Sequence, residues 1–135
     1  MNRIDDLALL VGRFLLAALF LPSGIRKAMS LGGTGQYLAS LGVPNPEVMA
    51  IAVAATEIGL PILLVLGVVP RLTAVLTGGF VMVTALLAHR FWDVADAGAA
   101  MGQQIHFLKN AALVGGTMFY FVSGAGTFSL AGRKR

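Results

Sequence analysis

At 135 residues, 57% of them hydrophobic and 12% charged, with a mean hydropathy of +0.83, the chain carries about half the charge of a typical soluble domain and has the composition of an integral membrane protein. The absence of cysteine excludes disulfides, thiolate metal sites and thiol redox chemistry on this chain. The net charge of +4 does not mark a nucleic-acid binder, because the basic residues flank the apolar runs, where positive-inside orientation accounts for them.

Crossing about 30 Å of hydrocarbon takes roughly 20 mainly apolar residues, and four windows approach this, at about 7–25, 48–69, 71–89 and 104–123. The expected fold is therefore all-α: one membrane domain over residues 1–135, a four-transmembrane-helix bundle. No small-residue cleavage site follows the first window, which reads "LFLPSGIRKAMS" at its end, so it is expected to be a retained helix and not a signal peptide.

Between the first and second spans, "MSLGGTGQYLASLGVPNPE" predicts a short helix. Thr34 can cap it, Gly42 can end it after Leu41, and two prolines set the entry to the next span. Tyr37, Leu38 and Leu41 share one face, which suits a helix lying in the membrane interface, or a lid over a cavity. The glycines of "LGGTGQ" lack the strand, lysine and spacing of a phosphate loop. The corner "VVPRL" ends the second span with a proline that cannot continue it and an arginine that anchors at headgroups. After the third span, Trp92 fits an aromatic belt and Asp93 and Asp96 reach water.

With four spans, one side of the membrane carries Arg3, Arg71, Arg133, Lys134 and Arg135, and the other Arg26, Lys27 and Arg90. The balance predicts a bacterial-type inner membrane protein with both termini in the cytoplasm.

A charged side chain at the centre of a span costs about 2.5–3.5 kcal/mol even on insertion scales, so each one needs a reason. Glu57 lies about ten residues beyond Glu47, hence roughly 15 Å deep. Arg13 enters from one side and Lys109 from the other, and both can reach further along their stems. Glu57 is expected between these two cations. Pro61 removes the donor for the carbonyl four residues back, that of Glu57, leaving a free acceptor at the same depth. In "HFLKNAALVGG", His106, Lys109 and Asn110 share a helical face, and Gln103 extends it outward. Ala111 with Gly115 and Ala112 with Gly116 form small pairs that admit a neighbouring helix and make self-association reasonable. Ser23, Gly24 and Lys27 close the first span; His89 and Arg90 close the third. Two histidines near one membrane face could in geometry ligate haem, but nothing in their spacing specifies it. No metal or flavin motif is present.

Together "RFLLAALFLPSGIRK", "YLASLGVPNP", "TEIGLPILLVLGVVPRLTA", "ALLAHRF" and "HFLKNAALVGG" resemble the DoxX family of small four-helix membrane proteins, from about residue 11 to 131, by their order and spacing more than by any single piece. The resemblance matches Arg13, Ser23-Gly24-Lys27, Glu57, His89 and Leu108-Lys109-Asn110 to the family's pattern; His106 is not assigned by it. It implies a membrane partner in quinone-linked or oxidative-stress redox systems, since relatives include a subunit of thiosulfate:quinone oxidoreductase. The expectation is a pocket lined by Arg13, Ser23, Lys27, Glu57, His89, Lys109 and Asn110 that binds a quinone. Lys109, a histidine and Asn110 would donate to the quinone carbonyls, Glu57 or His106 would accept or deliver the proton, and the electrons would come from partner oxidoreductases or the quinone's own cycling. The rival expectation is a membrane scaffold whose buried charges only fix helix register. A carrier is disfavoured because the halves show no internal repeat.

Overall fold

A computed structural model of the protein describes residues 2–132, and every regular element among them is helical. Five α-helices follow one another: α1 Arg3–Met29, α2 Leu31–Ser40, α3 Pro46–Leu66, α4 Pro70–Ala88 and α5 Ala97–Ser123, with a 3₁₀ turn at Phe91–Asp93. The chain forms two compact units. The first holds α1 to α3 and, among the described residues, the segment Ala125–Gly132; the second spans Arg71–Gly124.

Helix α1 starts at a reciprocal capping box, in which Asp5 N donates to Asn2 Oδ1 and Asn2 N to Asp5 Oδ2, at 2.9 and 3.1 Å. Asp5 and Asp6 in its first turn and Arg26 and Lys27 in its last both complement the helix dipole. At Ser30 the backbone breaks from helical geometry (φ −136°, ψ 61°), and α2 starts at once. Thr34 is therefore not the cap expected from sequence. It lies one turn inside α2, where its hydroxyl donates back to Ser30 O at 3.0 Å, a bond open to threonine in a helix interior. Gly42 (φ +77°) does terminate the α2 region. Pro46 opens α3 at its first turn, and α2 packs along α3, with a groove of about 550 Å³ between them lined by residues including Leu31, Gln36, Glu47 and Ile51.

The close of α3 is the most constrained part of the first unit. Gly67 takes the left-handed conformation there (φ +65°). The segment from Ala125 to Gly132 comes back to this point, with Leu130 N donating to Leu66 O at 2.9 Å. Asp6 of α1 clasps the same segment, accepting from Thr127 N at 2.9 Å and from Thr127 Oγ1 at 2.7 Å. Helix ends leave carbonyls without intrahelical donors, and Arg13, 2% exposed, supplies donors to Val65 O of α3 and to Phe128 O.

Helices α1, α3 and the stretch Pro70–Asp93 are each long and apolar enough to cross a membrane. Helix α5 contains the expected fourth window, and its 27 residues give it the length. It does not reach the same apolar standard among the described residues, because Gln103, Gln104, His106, Lys109 and Asn110 interrupt it. Arg133, Lys134 and Arg135, which weigh in the charge balance, lie outside the described residues.

Candidate functional site

The buried carboxylate of Glu57, 6% exposed, is met by Lys27. Its ammonium donates to Glu57 Oε1 at 2.8 Å and Oε2 at 2.7 Å, and to Ser23 Oγ at 2.8 Å. Ser23 and Lys27 stand four residues apart on α1 and so share its face. Gly24, one residue on from Ser23, is what brings the helices together. A Cβ built there would lie 2.8 Å from the Glu57 carbonyl carbon and 2.9 Å from Glu57 Cβ. Only glycine admits the α3 backbone at that distance. Pro61, buried one turn further on α3, withholds its donor from the Glu57 carbonyl. The pair is asymmetric in its surroundings: the Lys27 side chain is 27% exposed and that of Glu57 7%.

This assigns the cation differently from the sequence reading, which set Arg13 and Lys109 against Glu57. Because Gly24 lies against Glu57, Arg13 falls eleven residues earlier on α1, about 16 Å away along the helix axis. It serves the far end of α3 instead. Lys109 lies on α5, in the second unit. Lys27 was legible as a residue of the expected pocket, but not as the partner of Glu57. The signal that would have found it is the run "SGIRK", which puts a hydroxyl, a close-approach glycine and an ammonium on successive positions of one helix face.

The remaining expected residues belong to the second unit. The His89 and His106 rings stack at 5.1 Å between centroids with planes 20° apart, and His89 Nδ1 lies 2.9 Å from Gln103 Oε1. Phe91, Trp92 and Phe107 form an edge-to-face cluster beside them. His106 is exposed and Asn110 half-buried. Between α4 and α5 the close contact is at Gly78, where a Cβ would meet Thr117 Oγ1 at 2.6 Å. Of the expected site residues, the first unit brings together Ser23, Lys27 and Glu57, and the second brings together His89 and His106.

Comparison with known proteins decides the family. The DoxX family model matches residues 8–90. The chain belongs to the DoxX family. It is 37% identical over 123 residues to the inner membrane protein YphA of Escherichia coli (strain K12), covering 90% of this chain and 86% of that protein. To the inner membrane protein YqjF of the same organism it is 32% identical over 130 residues, 96% of this chain and 94% of that one. No solved structure matches it. Arg13, Ser23, Lys27, Glu57 and His89 lie within the DoxX match, while His106, Lys109 and Asn110 lie beyond it. Family membership and the three apolar helices make this an integral membrane protein.

Proposed function

We propose that this DoxX protein is an inner-membrane component of quinone-linked redox or oxidative-stress chemistry, with both termini in the cytoplasm, and that it binds a quinone-like molecule at Lys27 and Glu57. The observation that carries the reading is the half-open ion pair: a carboxylate deep among apolar helices, held by an ammonium that keeps 27% of its side-chain surface accessible. Intramembrane ionisable groups mark ligand or proton sites by default. Lys27 can donate to a quinone carbonyl, with Ser23 as a second hydrogen-bonding group, and Glu57 can accept or return a proton. Reduction of a quinone consumes two electrons and two protons; the electrons come from a partner oxidoreductase and the protons pass through this pair.

A second reading, a scaffold in which the pair only sets helix register, is favoured by one specific count. Lys27 Nζ has three donors and makes three short contacts, two of them to one carboxylate. Purification of the wild type, Lys27→Met and Lys109→Ala from native membranes, with extracted lipids identified by mass spectrometry, separates the two. The proposed site predicts quinone in the wild type, retained in Lys109→Ala and lost from the folded fraction of Lys27→Met. Quinone absent from all three, with only stability altered in Lys27→Met, establishes the scaffold. Quinone lost from Lys109→Ala alone transfers the site to the polar face of α5.

A further inference from the structure

Within the second unit, Arg71 sits over the ring of Phe121, its guanidinium carbon 5.7 Å from the ring centroid. Phe121 is also a wall of a groove of about 450 Å³ between α4 and α5, together with Ala74, Val75 and Gly79 from α4 and Met118 and Val122 from α5. That volume lies in the range of small-molecule sites.

The positions have a direction. Residues 71, 74, 75, 78 and 79 recur at three- and four-residue steps and lie on one face of α4, so Arg71 caps the end of the same stripe that forms the groove. The distance from Arg71 to Gly79 along the axis is about 12 Å. On α5 the lining residues recur in the same way, and Phe121 and Val122 stand at the Arg71 end. The walls are open to the outside: Val75 is 57% exposed, Met118 65% and Val122 81%. Apolar walls of this kind suit an acyl chain. Arg71 forms no salt bridge among the described residues, and the acidic residues of its unit, Asp93 and Asp96, follow the opposite end of α4. A guanidinium lying over an aromatic ring keeps its in-plane N–H groups free for a phosphate.

We infer that this groove is a binding site for an anionic phospholipid, with the phosphate on Arg71 and the upper part of one acyl chain along Val75, Gly79 and Met118. The cation and the apolar channel meet at Phe121, which is the juxtaposition a charged head on an apolar chain requires. Two substitutions probe the two halves separately. Arg71→Gln removes the charge at an exposed position. Gly79→Leu fills the channel, because a side chain at Gly79 meets nothing within 4 Å.

The test is native mass spectrometry of the full-length protein released from nanodiscs that contain phosphatidylglycerol and phosphatidylcholine in equal amounts. The expected result is preferential retention of phosphatidylglycerol by the wild type. That preference falls roughly fivefold in Arg71→Gln, the factor set by one basic residue at an anionic membrane surface. Gly79→Leu lowers retention of both lipids, and Arg90→Gln, at the other end of α4, changes neither. Equal preference in wild type and Arg71→Gln overturns the headgroup half of the site. Unchanged lipid retention in Gly79→Leu overturns the channel. A wild-type dimer that Gly79→Leu converts to monomer shows that a second copy of the chain, and not lipid, occupies the groove.

Discussion

Gly24 of α1 lies against the backbone of Glu57 of α3, so close that a methyl group at residue 24 would stand 2.8 Å from the Glu57 carbonyl carbon and 2.9 Å from Ile58 Cγ1. Backbone cannot yield as the tip of a side chain can. Gly24→Ala therefore pushes α1 from α3 at the level of the Lys27–Glu57 pair. The expected loss is about 1–3 kcal/mol, the usual range for overpacking, read as a lower thermal midpoint in detergent. Gly59→Ala on α3 is the contrast: nothing lies within 4 Å of its Cβ position, and relief of helical glycine entropy gains roughly 0.5–1 kcal/mol. Equal effects from the two would show that helix contact at Gly24 is not what holds the pair.

The difference in burial across the ion pair predicts an asymmetric response. Lys27→Met leaves the buried Glu57 carboxylate without its cation, whereas Glu57→Gln leaves an ammonium that is already part-exposed and can turn to water. Lys27→Met is expected to be the more destabilising. The double variant is expected to lose less than the two singles together, as contacting partners do. Denaturation of the four proteins in one detergent gives the coupling directly, and strict additivity would mean that the pair contributes nothing through its contact.

Much of this architecture could be read from the residues. The three apolar spans, the α2 helix ending at Gly42 and the proline start of α3 follow from hydropathy and turn chemistry, which are local. Glu57 stands out because a carboxylate deep in a span has few explanations. The identity of its cation did not follow, because depth counted from each helix end ignores where helices cross. The crossing is fixed by Gly24, whose place beside Ser23 and Lys27 was legible but whose contact with Glu57 appears only across the interface. The role of Arg13 was hidden for another reason. At the end of α3 it donates to backbone carbonyls, which every residue carries, so no sequence pattern names them.

The clasp between Asp6 and Thr127 is a long-range tie that can be cut from either side. Asp6→Ala removes both acceptors, while Thr127→Val removes the hydroxyl alone. One hydrogen bond contributes about 1 kcal/mol, and Asp6→Ala removes two where Thr127→Val removes one, so Asp6→Ala is expected to be the more severe. Limited proteolysis should show faster cleavage after Ala125 in both, in that order. Unchanged cleavage in Asp6→Ala would mean that Arg13 and the Leu130–Leu66 bond hold the segment unaided.

Gly42 and Gly67 separate backbone strain from crowding. Both have positive φ, +77° and +65°, but the Cβ position of Gly42 is open, whereas that of Gly67 runs into Ser129 Cβ and lies 2.6 Å from Arg13 Nη1 and 2.8 Å from Ala125 Cβ. An alanine at residue 42 therefore meets only the left-handed backbone penalty of roughly 1–2 kcal/mol. An alanine at residue 67 meets the same penalty and also displaces the segment that returns from Ala125 and the guanidinium that holds it. Gly67→Ala should thus lower the thermal midpoint well below that of Gly42→Ala, and it alone should speed proteolysis beyond Ala125. If the two variants melt together and digest alike, the crowding at Gly67 is relieved by small shifts of Ser129 and Ala125, and the end of α3 is held by Arg13 more loosely than its burial indicates.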